Sequence, residues 1–165
     1  MLELVAGAID ELCFVFERHG YNPTPIIDLG VLVVSADGTV DPKERAVLLE
    51  LFQTLLDAKL SAEVVDHLVT ASLEVIEAAG AASRARLIAE ILVDCDAVEP
   101  GIVVALAVAF ASEGLSQTER RVIERIADTA QLPRSRLEEL IAKMGDPEGP
   151  VSVRTLLASS PSSRT

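Results

Sequence analysis

Three carboxylates, Asp37, Asp41 and Glu44, fall within the phrase Ala36-Asp37-Gly38-Thr39-Val40-Asp41-Pro42-Lys43-Glu44. A worn copy, Ala111-Ser112-Glu113-Gly114-Leu115-Ser116-Gln117-Thr118-Glu119, returns 75 residues later. Acidic groups held close together repel one another unless they take up a proton or share a cation, and Ca²⁺ and Mg²⁺ prefer such oxygen ligands. Neither copy reproduces the twelve-residue EF-hand loop with its spaced ligands and terminal glutamate. A cation site therefore needs the two turns to meet in space, with Asp37, Glu44, Glu113 and Glu119 as candidate ligands and Ca²⁺ or Mg²⁺ as the favoured ion. The same phrases also have an architectural reading. Asp41 and Ser116 suit helix N-caps, Glu44 and Glu119 complete capping boxes, and Gly38 or Gly114 permits the turn. A cap alone contributes about 1 kcal/mol, so the pattern has a use with or without metal.

Other residues capable of chemistry are scattered. His19 and His67 stand apart and form neither an HExxH zinc motif nor the ExxH pairing of di-iron bundles, so both read as surface or partly buried polar residues. Cys13 lies on an apolar helical face, and Cys95, within Val93-Asp94-Cys95-Asp96, has acidic neighbours that disfavour a thiolate. Both cysteines read as packing residues. Asp94, Asp96 and Glu99 read as a solvated helix edge. Arg120, Arg121 and Arg125 follow the second turn, and pairing within the chain, for example with Glu124, is expected of them. No phosphate-binding glycine loop or nucleophile elbow occurs, and a non-enzymatic role is expected.

The elements that must position the two turns are helices. Leu4, Val5, Ala8, Ile9, Leu12, Val15 and Phe16 recur at helical spacing and predict a helix over about 2–18. Pro23 and Pro25 open a second segment, and Ile26 to Ala36 is apolar almost all round except for Asp28 and Ser35, which places it near the middle of the fold. Asp41-Pro42-Lys43-Glu44 starts a helix reaching about Asp57. Another runs from Ser61 to Ala79, with Gly80 as its stop. In the second half a segment from about Ala82 to Asp96 is expected to break at Glu99-Pro100-Gly101. Ile102 to Ala111 then resembles the earlier central run, and its four alanines favour helix over a buried strand. Ser116 and Glu119 open the next helix, and the last follows Pro133 and ends at Gly145.

With 165 residues, half of them hydrophobic and only five aromatic, the chain has enough Leu, Val, Ile and Ala to bury one core. The net charge of −12 argues against a nucleic-acid partner, which normally meets a basic stripe. Residues 1–80 carry 14 acids against 4 bases and residues 81–165 carry 12 against 10, so the negative field belongs mainly to the first half. Such a field suits solubility, attraction of cations or docking to a basic partner. No run approaches the roughly 20 apolar residues of a membrane span, and the start lacks a signal-peptide pattern. Two cysteines without a disulfide framework fit a reducing cytoplasm.

Beyond the last helix, Asp146-Pro147-Glu148-Gly149-Pro150 is a breaker and Ser159 to Thr165 is polar, so 147–165 is expected to form a mobile tail on a single domain of residues 1–146. Within it, Val151, Val153, Leu156 and Leu157 make an apolar island. Two uses are open to it: docking on its own domain, or serving as a short peptide addressed to a partner.

The alignment of Asp41 with Ser116 and Glu44 with Glu119 continues without a gap into Arg45 and Arg120, with Val40 and Leu115 just before the caps. On these residues the chain resembles the tellurite-resistance TerB-like family over about 22–145. The resemblance implies an all-α domain of seven to eight helices, pseudo-two-fold, with two central apolar helices. It also implies acidic metal-binding positions and a place in envelope or chemical-stress systems. Asp37, Glu44 and Glu119 match the family's acidic positions. Ser112 stands where a second aspartate is expected, with Glu113 beside it. The functional expectation is an accessory or stress-response domain that binds or senses a divalent cation and modulates contact with a protein partner, homo-oligomerisation being open. Its alternative is a metal-free adaptor using the acidic surface or the tail.

Overall fold

Caps and breakers divide the described residues of the computed structural model, 2–56, 60–112 and 114–145, into eight helices and no strand. They are α1 (Leu2–Arg18), α2 (Thr24–Val34), α3 (Pro42–Leu55), α4 (Ala62–Ala79), α5 (Ala81–Asp94), α6 (Val98–Ser112), α7 (Gln117–Thr129) and α8 (Arg134–Gly145). Glu113 and the tail residues Val151, Val153, Leu156 and Leu157 lie outside the described residues. No helix among those described is long and apolar enough to cross a membrane.

The two apolar runs are the centre of the fold. Every residue of α2 from Pro25 to Val34 is buried, as is every residue of α6 from Gly101 to Ala109. A helix apolar on all sides must be clad on all sides. Accordingly, α6 touches α1, α2, α3, α5, α7 and α8, while α2 touches α3, α4, α5, α6 and α7. The contacts cross between halves: α2 packs on α7 as well as α3, and α6 packs on α3 as well as α7.

One expected boundary is misplaced. Glu99-Pro100-Gly101 does not break the chain but forms the first turn of α6, where proline sacrifices no helical hydrogen bond. The break lies at Cys95-Asp96-Ala97. There Asp96 adopts φ 51°, and the Ala97 N–H donates back to Leu92 O at 2.9 Å, an αL helix ending with aspartate in place of glycine. Gly101 serves packing instead. A Cβ there would lie 2.6 Å from Leu92 Cδ1, so α5 and α6 approach as closely as they do only because it is absent. Gly30 does the same for α2 and α3, its missing Cβ falling 2.5 Å from Phe52 Cζ.

Asp28, in the middle of α2 and only 6 % exposed, accepts hydrogen bonds from Ser72 Oγ of α4 at 2.5 Å and from an Arg84 guanidinium nitrogen of α5 at 2.8 Å. Arg84 Nε is buried with no hydrogen-bond partner among the described residues. Three helices are thus pinned by one carboxylate, and removing it leaves a cation stranded. Buried pairs cost more to break than to replace with apolar groups. Asp28→Ala is expected to lower the unfolding free energy in urea by about 3 kcal/mol or more, and the double change Asp28→Leu/Arg84→Met to recover most of the loss. Gly30→Ala is expected to cost about 1–3 kcal/mol in the same assay by forcing its methyl against the enclosed Phe52 ring.

Candidate functional site

The two acidic turns are built by the same local devices. N-caps Asp41 (φ −74°, ψ 162°) and Ser116 (φ −74°, ψ 163°) share one backbone conformation, and Gly38 (φ 94°) and Gly114 (φ 96°) share the left-handed turn ahead of them. Both capping boxes are complete. Asp41 Oδ1 accepts from the Glu44 N–H at 2.7 Å and Glu44 Oε2 from the Asp41 N–H at 3.0 Å. Ser116 Oγ accepts from the Glu119 N–H at 3.2 Å and Glu119 Oε2 from the Ser116 N–H at 2.9 Å. Each box engages one oxygen of its glutamate.

The boxes differ in their surroundings. Asp41 is exposed and Glu44 partly so, whereas Glu119 is only 8 % exposed. Burial pushes the Glu119 carboxyl above the usual carboxylate range; the hydrogen bonds from Ser116 oppose that rise, and the charges of Glu44 and Asp37 add to it. The last two contributions come from the first turn. Residues of the first turn act on a residue of the second, so the duplicated turns share one electrostatic field.

Asp37 has a structural role that its sequence context did not suggest. Its Oδ1 accepts from the Thr39 N–H at 3.0 Å and from Thr39 Oγ1 at 3.4 Å, an Asx turn that bends the chain toward Val40. An aspartate followed two residues later by threonine was the available signal. Asp37, Glu44 and Glu119 offer the carboxylate oxygens that a hard cation takes. Among the described residues, however, no group of three or more His, Cys, Asp or Glu side chains is disposed to hold a metal ion. The fourth candidate, Glu113, lies outside those residues.

The family model described as tellurite resistance protein TerB matches residues 25–142, a stretch that contains both turns. The chain belongs to the TerB family. No curated protein and no solved structure matches it. The TerB match runs from the start of α2 into α8, so the two central helices and both capping boxes fall within it, while α1, which packs against α6, lies wholly outside it.

Elsewhere, most of the chemistry-bearing side chains are engaged in structural contacts. His19 Nδ1 lies 2.8 Å from Val15 O, and His67 is exposed on α4. Cys13 and Cys95 are buried, and burial followed by the Asp94 charge pushes the Cys95 thiol up, away from thiolate reactivity. Asp94 and Asp96 are exposed, as expected, and Glu99, though partly exposed, is also paired. Its Oε1 accepts from Arg136 Nε at 3.0 Å and from a second Arg136 nitrogen at 2.6 Å, tying α6 to α8. Arg120 pairs with Glu124 at 3.0 Å and with Glu138, within the second half, and Arg134 adds bonds to Glu124 and Asp128 at 2.8 Å each. Hydrogen bonds from Arg120 and then Arg134 hold Glu124 below the usual carboxylate range.

The raised proton affinity of Glu119 has a defined stability signature. A carboxyl whose folded-state value lies above its unfolded value favours the fold at low pH and loses that contribution as pH rises through the folded value. Glu119→Gln keeps an oxygen for the Ser116 N–H but carries no charge. Its stability relative to the parent is expected to rise in urea unfolding as pH increases from about 4, the ordinary carboxyl value, through the raised folded-state value of Glu119. Glu119→Ala, which loses the box, is expected to cost about 1 kcal/mol at low pH.

Proposed function

We propose that this TerB-family chain is a non-enzymatic accessory or stress-response domain that binds or senses a divalent cation, Ca²⁺ or Mg²⁺, at its paired acidic turns and thereby modulates contact with another protein. The observation that carries the reading is Glu119, a buried carboxylate whose charge is opposed by burial and by Glu44 and Asp37 of the other turn. A cation relieves the same repulsion that a proton relieves, and draws together ligands that repulsion otherwise keeps apart. Asp37, Glu44 and Glu119, together with Glu113, are the ligands of this proposal.

A route from the turn to a partner is also available. Ser35, Gly38, Thr39 and Val40 of the first turn form one wall of a groove of about 410 Å³ whose other wall is Leu73 and Ile76 of α4. Tightening the turn around an ion reshapes that groove, so ion occupancy and protein contact are linked through shared residues. The same groove supports the alternative reading, a metal-free adaptor that docks a partner on its acidic first half.

Titration of the full chain with Ca²⁺ and with Mg²⁺ distinguishes the two, followed by NMR at the amides of Gly38 and Gly114. Saturable shifts at both glycines are expected at neutral pH, weakening as Glu119 takes up its proton. Asp37→Asn is expected to loosen binding by about tenfold or more, the scale on which ligand charge tunes such sites. Unmoved glycine signals with either ion at millimolar concentration would exclude cation binding and leave the adaptor reading.

A further inference from the structure

Helices α1 and α8 both pack on α6, and between them runs an open groove of about 340 Å³ floored by Pro100 and Val103. Leu4 and Ala8 supply apolar surface on one side and Leu140 on the other. Gly7 also lines it. This glycine is exposed in the middle of α1, and a Cβ there would meet nothing within 4 Å. Alanine would suit the isolated helix better, so a local preference is given up at a point where the fold itself needs no clearance. Clearance there has a use if something lies in the groove.

We propose that the groove is the seat of the chain's own segment 151–157. The chain leaves α8 two residues beyond Lys143, which lines the groove, and the six residues from Gly145 to Val151 span about 20 Å when extended. The α8 side of the groove, from Arg136 to Lys143, rises only about 10 Å, so the whole of it is within reach. Pro147, Gly149 and Pro150 suit the reversal of direction that the path requires. Val151, Val153, Leu156 and Leu157 match the apolar floor, and Arg154 matches the exposed acids Glu3 and Glu11 on the α1 rim. The groove's other acid, Glu99, already has Arg136 as its partner. Tethering raises the local concentration of the segment to the millimolar range, so a contact of modest strength suffices to keep it seated. A protein that recognises this apolar segment therefore competes with the groove for it.

The test uses the full chain and NMR. Leu156→Asp/Leu157→Asp is expected to shift the amides of Gly7, Ala8, Val103 and Leu140 to the same extent at every protein concentration. Gly7→Arg, which fills the groove from an exposed helical position, is expected to lower the ¹⁵N–¹H NOE of residues 151–157 to the level of residues 160–165. Shifts confined to residues beyond 145, or equal NOE values for the two tail stretches in the parent, would overturn the proposal. Groove shifts that vanish on dilution would assign the seat to a second copy's tail and overturn the intramolecular version.

Discussion

Enclosure of two helices that have almost no polar face is the constraint on which the rest of the structure depends. Along α2 only Asp28 interrupts the buried apolar surface, and along α6 the buried run is unbroken from Gly101 to Ala109. Hydrophobic burial drives both inward, and the six amphipathic helices are arranged to cover them. Close approach is then bought with side-chain volume at Gly30 and Gly101, which admit Phe52 and Leu92 against the helix backbone. The one charge in this region is held by Ser72 and Arg84, so the central layer is pinned by polar contacts as well as packed.

The same arrangement bears on the acidic groups of the two turns. Each central helix ends in a turn that must start the next helix, and the capping boxes do this with carboxylates. A capping glutamate on an exposed helix costs little, but Glu119 is buried and feels the charges of Glu44 and Asp37. Satisfying the helix N-terminus and avoiding like-charge repulsion are therefore opposing demands at one residue. Arg120, the nearest arginine in sequence, is engaged instead by Glu124 and Glu138.

Features set by neighbours in the chain were legible in the sequence. The Asp41–Glu44 and Ser116–Glu119 boxes, the Ser61 cap, the stop at Gly80 and the apolar central runs all follow from local spacing, and the helices stand where that spacing puts them. Features set by distant partners were not. Asp28 could be seen as an oddity in an apolar run, but nothing local indicates Ser72 or Arg84, which lie 44 and 56 residues away. Glu99 looked solvated because its partner, Arg136, is 37 residues on. Pro100 and Gly101 suggested a break by composition, whereas the first turn of a helix accepts proline and the glycine answers to Leu92. At the acidic turns, the repeat made the two capping boxes legible, whereas the burial of Glu119, which separates it from Glu44, is a tertiary property.

The crossed packing of α2 on α7 and of α6 on α3 bears on how a duplicated chain holds together. Neither repeat encloses its own apolar helix, because each lends a helix to its counterpart. The packing between the two copies is therefore shared, α2 of the first resting on α7 of the second and α6 of the second on α3 of the first. Divergence between them is correspondingly constrained: a change in either repeat is judged by how it fits the other, even where the local wording, as at Ser112, has already drifted.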